Sequence, residues 1–201
     1  MPSIDRRRFL RLTGAALGLG SSLAGRAAPV LEGVRFDERI TLGGRSLQLN
    51  GTGLRAAGWF KLYVAALYLP TPATTAEAAL GQVGPKRVRV VMLREAPADE
   101  LGKAVHKGVM RNVAAGEQAA LRERLASLVA MVNAVGEVKA GDTVDFDFDP
   151  TLGTILLLNG KTRGPAIAGA DFEAALLRSF IGEHPYHRDL RAGLLGAAAK
   201  P

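Results

Sequence analysis

Residues 47–69, LQLNGTGLRAAGWFKLYVAALYL, decide how the rest of the chain is read. The stretch starts as a strand, breaks at glycines around one arginine, Arg55, and resumes as an apolar strand from Trp59 to Leu69. Side chains alternate along a strand, so Phe60, Leu62, Val64, Ala66 and Tyr68 share one face and Lys61, Tyr63, Ala65, Leu67 and Leu69 the other. Both faces are mostly apolar. That predicts a central strand covered on each side, with Arg55 and Tyr63 as its odd polar groups. The break at Ala56-Ala57-Gly58 interrupts the count, and sequence leaves open whether Arg55 and Tyr63 face the same way.

Outward from this stretch, residues 34–41 and 46–49 read as strands joined by Gly43-Gly44, a pair suited to a tight hairpin turn. Downstream, Thr74-Thr75-Ala76-Glu77 has capping-box spacing and predicts a short helix to about Leu80, ended by Gly84-Pro85. Residues 87–93 are Val-rich and read as a strand. Two helical stripes follow, Leu101, Ala104, Val105, Val109 and Val113, then Leu121, Leu125, Leu128, Val129 and Val132, both read as packing onto a sheet. Residues 143–149 alternate Val144, Phe146 and Phe148 with Asp145, Asp147 and Asp149, a strand with one apolar and one solvated acidic face. Residues 154–158 pair back on it, Asn159-Gly160 is a turn signal, Asp171 caps a helix to Ile181, and a last helix covers residues 190–195. Segregated strands and helices predict an α+β domain with a mainly antiparallel sheet.

The 201 residues, 48% of them hydrophobic, fit one domain with a sizeable core. The formal charge of +7 invites a nucleic-acid or anionic-membrane partner, yet residues 1–27 hold five arginines against one aspartate, a net +4, which leaves +3 for the remainder. Nucleic acid is therefore not expected as a partner. Arg6-Arg7-Arg8-Phe9-Leu10-Arg11 fits the twin-arginine export pattern, followed by a weakly apolar run and a small-residue cleavage site at Gly25-Arg26-Ala27. Residues 1–27 are thus read as a cleaved signal peptide and residues 28–201 as a periplasmic domain delivered by the twin-arginine machinery. The run is too short to span a membrane.

Chemistry-bearing motifs are few. The chain lacks cysteine, which excludes disulfides, thiolate metal sites and a cysteine nucleophile. Asp145, Asp147 and Asp149 match the start of a calcium loop, but Pro150 and Leu156 stand where glycine and glutamate are needed. His184 and His187 are spaced for a metal, without evident further ligands, and His106 sits between Lys103 and Lys107 on an exposed helix segment. No phosphate loop or nucleophile elbow is present. No cofactor and no metal are expected. Arg55 stands apart: an arginine entering a buried strand must pair with an acid or face a cavity, because an unpaired buried guanidinium is very costly. From the bare residues a structural ion pair and an anion site are equally good readings.

Asn50-Gly51-Thr52-Gly53-Leu54-Arg55, followed by Phe60-Lys61-Leu62-Tyr63-Val64-Ala65-Ala66-Leu67-Tyr68-Leu69, resembles the opening signature of the chalcone isomerase family, in its bacterial chalcone isomerase-like branch. The resemblance continues through residues 87–94, 141–149, Gly153-Thr154, Asn159-Gly160 and Leu177-Arg178-Ser179-Phe180-Ile181-Gly182, covering residues 30–196. It implies an open-faced β-sandwich, a large antiparallel sheet covered by a layer of helices. It also implies a role for Arg55: in the enzymes this arginine holds the substrate anion while a phenolate closes onto an enone, and in non-catalytic plant relatives it helps bind a fatty-acid carboxylate. Ser179 matches a Ser/Thr position lining the enzyme pocket. Departures are equally clear. Tyr63 replaces a threonine, residues 97–112 hold no tyrosine, and Asn112 stands late for the enzymes' asparagine.

Three readings follow from the resemblance. The favoured one is an exported, non-catalytic binder of a fatty-acid-like or other apolar carboxylate, or a phenolic ligand, held by Arg55, Tyr63 and Ser179. The second is an intramolecular lyase or isomerase acting on a chalcone-like enone, with Arg55 and Tyr63 as its catalytic groups. In the third the pocket is collapsed, Arg55 is a structural ion pair and the protein acts through its surface.

Overall fold

A seven-stranded antiparallel sheet organises the computed structural model, which describes residues 29–185 and 187–197. The signal peptide read at residues 1–27 and Tyr186 lie outside the described residues. Strands β1 (Val30–Leu31) and β2 (Val34–Arg35) pair as a small ribbon. Next, β3 (Arg39–Leu42) and β4 (Arg45–Ala57) form a hairpin about Gly43 and Gly44, whose φ angles of 55° and 73° bear out the turn reading. Strand β5 (Phe60–Leu69) returns along β4, α1 (Ala76–Leu80) follows, and β6 (Lys86–Met92) pairs with β5. A two-residue β7 (Ala96–Pro97) leads into α2 (Ala98–Arg111) and α3 (Ala115–Asn133), then β8 (Glu137–Val138) pairs with β7. Strands β9 (Thr143–Asp149), β10 (Gly153–Leu158) and β11 (Lys161–Thr162) complete the sheet, and α4 (Ala170–Ile181) and α5 (Arg188–Leu194) end the described chain.

The sheet order β11-β10-β9-β6-β5-β4-β3 places the late hairpin beside β6, with the α2–α3 pair as the crossover. This is the α+β architecture the alternation predicts. One sheet face packs against the helices through Ala65, Leu67 and Leu69 of β5, Val88 of β6 and Phe146 and Phe148 of β9. The opposite face has a smaller core of Phe36, Leu47, Val64, Ala66, Tyr68 and Val91, backed by Leu31 and Val34 of the ribbon. Strand β5 is thus covered on both sides, as its two apolar faces require.

Strand β4 does not break at its glycines; it runs unbroken to Ala57. Gly51 and Gly53 instead let α5 lie against the sheet, because a Cβ on Gly51 would overlap the Gly193 carbonyl oxygen and one on Gly53 the Leu190 carbonyl. Asn50 completes the joint. Its Nδ2 donates to the carbonyls of Ala73 (2.9 Å) and Leu194 (2.7 Å), and its Oδ1 accepts from the Ala73 N–H (2.7 Å).

Three further readings change. Helix α1 starts at the Thr75 cap, whose hydroxyl accepts from the Ala78 N–H (3.2 Å), and runs to Leu80 as expected, but Gly81 and not Gly84-Pro85 closes it. Gly169, not Asp171, occupies the N-cap of α4; Asp171 sits inside the first turn and takes Arg124 at 2.6 Å, which pulls its carboxyl down to about 2. Asp145 and Asp147 are not solvated. They are buried against Arg89 and Arg87, their neighbours on β6 by register, while Asp149 caps the following turn through the N–H groups of Thr151 and Leu152. An arginine opposite each aspartate makes burial of both feasible.

Candidate functional site

The position of Arg55 is set by two β-bulges. In the β4–β5 register Leu49 pairs with Tyr68 and Gly51 with Leu67, so Asn50 is an extra residue on β4. A bulge of one residue exchanges the two faces downstream. Leu47 and Leu49 accordingly face the smaller core, whereas Gly51 and Gly53 turn toward α5 and Arg55 continues on that side. The second bulge follows at once: Arg55 pairs with Tyr63 and Ala56 with Lys61, leaving Leu62 as the extra residue on β5. Phe60 is thereby turned to the helix side with Tyr63, while Lys61 points away to an ion pair with Glu32 (2.8 Å). The simple alternation expected along residues 60–69 holds only from Tyr63 onward.

Arg55 and Tyr63 are therefore direct cross-strand neighbours with side chains on one face. They look into a cavity of about 380 Å³ between the sheet and the helices, at the low end of the range for small-molecule sites. Its sheet wall is Val90, Val144, Phe146, Leu156 and Leu158; its helix wall is Leu101, Ala104 and Val105 of α2, Val132 of α3 and Phe180 of α4. The stripe of α2 read from periodicity as core thus lines the cavity at Leu101, Ala104 and Val105, while Val109 is buried in the core behind it. Periodicity cannot distinguish these two fates, since both need an apolar face turned toward the sheet.

Ser179 completes the residues anticipated from sequence. It is buried at the cavity wall, and its hydroxyl donates to the Leu176 carbonyl at 2.6 Å, which leaves the oxygen as an acceptor. Further polar groups line the cavity at Glu95, Glu100 and Arg163, all exposed residues that sequence reasoning did not single out. Arg55 is half-buried and lines the same cavity. A cavity is present where the third reading expects a collapsed pocket.

Other candidates fall elsewhere. Asn112 ends α2 and ties it to the residues after α4, bonding the Gly108 and His184 carbonyls and the His184 N–H. His187 is the N-cap of α5, and His106 is exposed on α2. Among the described residues no group of three or more histidine or carboxylate side chains is placed to hold a metal ion.

Comparison with known proteins agrees with this architecture. A profile described as chalcone isomerase-like matches residues 28–196. Curated protein sequences yield no match. Among solved structures, the fatty-acid binding protein of Arabidopsis thaliana superposes with a TM-score of 0.63 at 15% identity, covering 84% of this chain and 95% of that one. That level of identity speaks to the shared fold. On the strength of the profile match across the sheet and its helical layer, the chain belongs to the chalcone isomerase-like family.

Proposed function

We propose that this protein binds a fatty-acid-like or other apolar carboxylate, with the acyl chain in the cavity and the carboxylate on Arg55. The observation that carries the reading is the placement of Arg55 and Tyr63, paired across β4 and β5, on the wall of a mostly apolar cavity. The fold neighbour, a fatty-acid binding protein, supports it. A guanidinium presents a planar fork that grips a carboxylate through two hydrogen bonds, and Tyr63 adds a phenol on the same side. The division of labour follows from magnitudes. Each buried methylene contributes about 0.8 kcal/mol, so a long acyl chain supplies most of the affinity. A charge-assisted hydrogen bond adds about 1.5–3 kcal/mol, so Arg55 selects the headgroup.

Calorimetric titration with a saturated fatty acid and the matching alcohol tests this. The acid binds the native protein about ten- to a hundredfold more tightly than the alcohol, and Arg55→Ala removes that preference while leaving the alcohol's affinity unchanged. Equal affinity of Arg55→Ala for the acid would refute the clamp.

One observation favours an intramolecular lyase as a second reading: Tyr63 stands beside Arg55, where a phenol donor and a guanidinium could serve the carbonyl and the phenolate of one enone. Turnover of a chalcone above its spontaneous cyclisation, lost in Arg55→Ala, would select it; no excess rate would remove it for that substrate.

Export through the twin-arginine route belongs to the same proposal, supported by the Arg6-Arg7-Arg8-Phe9-Leu10 pattern. Replacing Arg6 and Arg7 by lysine should retain an uncleaved precursor in the cytoplasm, and periplasmic delivery of that variant would count against the route. No helix among the described residues is long and apolar enough to cross a membrane.

A further inference from the structure

The β4–β5 hairpin extends past its neighbour in the sheet. Strand β6 pairs with β5 only between Tyr63 and Tyr68, so the turn at Gly58-Trp59 projects beyond the β6 end of the ladder. At that tip Trp59 is 85% exposed and Phe60 38% exposed, their rings edge to face with centroids 6.3 Å apart. Phe60 also lines the cavity, and the Arg94 guanidinium lies 5.1 Å from its ring centroid. An exposed tryptophan is thereby continuous, through one aromatic neighbour, with the apolar interior of the site.

We propose that this hairpin tip docks on a lipid bilayer and holds the cavity entrance against the headgroup region, where an apolar acid enters and leaves. The inference rests on the binding function proposed above. Tryptophan suits this position because its ring is apolar while its N–H remains able to bond at the wet interface, which is why such rings gather at membrane boundaries. The charges nearby also decide what kind of surface fits. Arg94 and Lys61 flank the aromatics, Lys61 is already paired with Glu32, and Glu95 and Glu100 stand at the cavity. Cations and anions nearly balance, so aromatic insertion rather than electrostatic attraction carries the contact. A soluble protein partner of strong charge has nothing to match here. A bilayer also supplies the ligand itself, since free acids of this class partition into membranes.

The chain has a single tryptophan, so its emission reports on this tip alone. The purified protein, with no fatty acid added, is mixed with unilamellar vesicles of phosphatidylethanolamine and phosphatidylglycerol. The expected result is a shift of the emission to shorter wavelength, quenching by acyl-brominated lipid, and flotation of the protein with the vesicles. Trp59→Ser lowers the floated fraction about tenfold or more, and Trp59→Phe restores most of it. Both variants bind fatty acid in vesicle-free buffer as the native protein does, which separates failure of docking from failure of the Arg55 site. An unchanged emission at all lipid concentrations, or flotation indifferent to Trp59→Ser, would overturn the proposal. A blue shift that grows with protein concentration in the absence of lipid would overturn it too, by assigning the tip to a contact between copies of the chain.

Discussion

The two faces of the sheet hold arginine in different surroundings. On the side away from the helices, Arg87 and Arg89 of β6 each meet an aspartate of β9 through paired hydrogen bonds: Arg89 with Asp145 at 2.8 Å for both contacts, Arg87 with Asp147 through Nε and through Nη2 at 2.6 Å. On the helix side, the cross-strand neighbour of Arg55 is Tyr63, and the wall around the pair is mostly apolar. The first arrangement joins two strands through aspartates, and the second sets an arginine on a cavity wall. In the proposed binding function the same residue type therefore serves cohesion on one face and recognition on the other, with register placing an aspartate opposite each of Arg87 and Arg89 and a tyrosine opposite Arg55.

The largest expected effect comes from breaking the closed face. Asp147→Ala leaves the Arg87 side chain, only 12% exposed, without its fork partner, and a buried ion pair broken on one side costs about 3–5 kcal/mol. Chemical denaturation should report a loss near the lower end, because Asp145 lies 3.7 Å from Arg87 Nη1 and takes up part of the charge. A loss below about 1 kcal/mol would show the ladder to be incidental. Arg55→Ala, by contrast, should act on ligand affinity.

Asn50→Ala comes next. It removes three hydrogen bonds that hold the first bulge to Ala73 and Leu194, at about 1 kcal/mol each. A loss of roughly 2–3 kcal/mol is expected, together with weaker acid binding as Arg55 loses its fixed orientation. Unchanged affinity for the acid would mean that the bulge is held by the glycines and α5 without the asparagine.

The smallest effect lies at Tyr68, fully buried on the closed face with a hydroxyl that has no hydrogen-bond partner. Burial pushes its phenol up to about 12, with the charges of Asp37 and Asp145 adding to the rise and Arg89 and Arg87 opposing it. The unfolded chain ionises near pH 10 while the folded one stays neutral, so this contribution to stability is intact below about pH 10 and is lost as pH rises toward 12, by roughly 2–3 kcal/mol. Tyr68→Phe should be neutral, or stabilising by up to about 1 kcal/mol at pH 7, and should flatten that alkaline decline. An equally steep decline in the variant would place the titrating group elsewhere.

The elements that were legible in the sequence are those governed by local chemistry. Gly43-Gly44 and Asn159-Gly160 adopt the positive φ angles their turns need, and Thr75 caps its helix. The misreadings arose where distant segments meet. Gly51 and Gly53 looked like breakers because α5, which needs the space, lies well over a hundred residues away. Asp145 and Asp147 looked solvated because burial depends on the arginines of β6, although the matched alternation Arg-Val-Arg and Asp-Phe-Asp was a readable hint of that pairing. The site was half legible. Arg55, Tyr63 and Ser179 do line one cavity, but the bulges that bring Arg55 and Phe60 into it depend on register, which neither composition nor periodicity specifies. Glu95, Glu100 and Arg163 carried no signal that would set them apart from ordinary surface charges.

A crystal structure of the protein soaked with a long-chain fatty acid tests most directly the proposal that Arg55 is the headgroup anchor of an occupied cavity. The predicted result is the carboxylate within hydrogen-bond distance of the Arg55 guanidinium, with the acyl chain running between Val105 and Phe146. A carboxylate bound on Arg163 or in solvent with Arg55 uninvolved, or a cavity that stays empty at saturating acid, would contradict it.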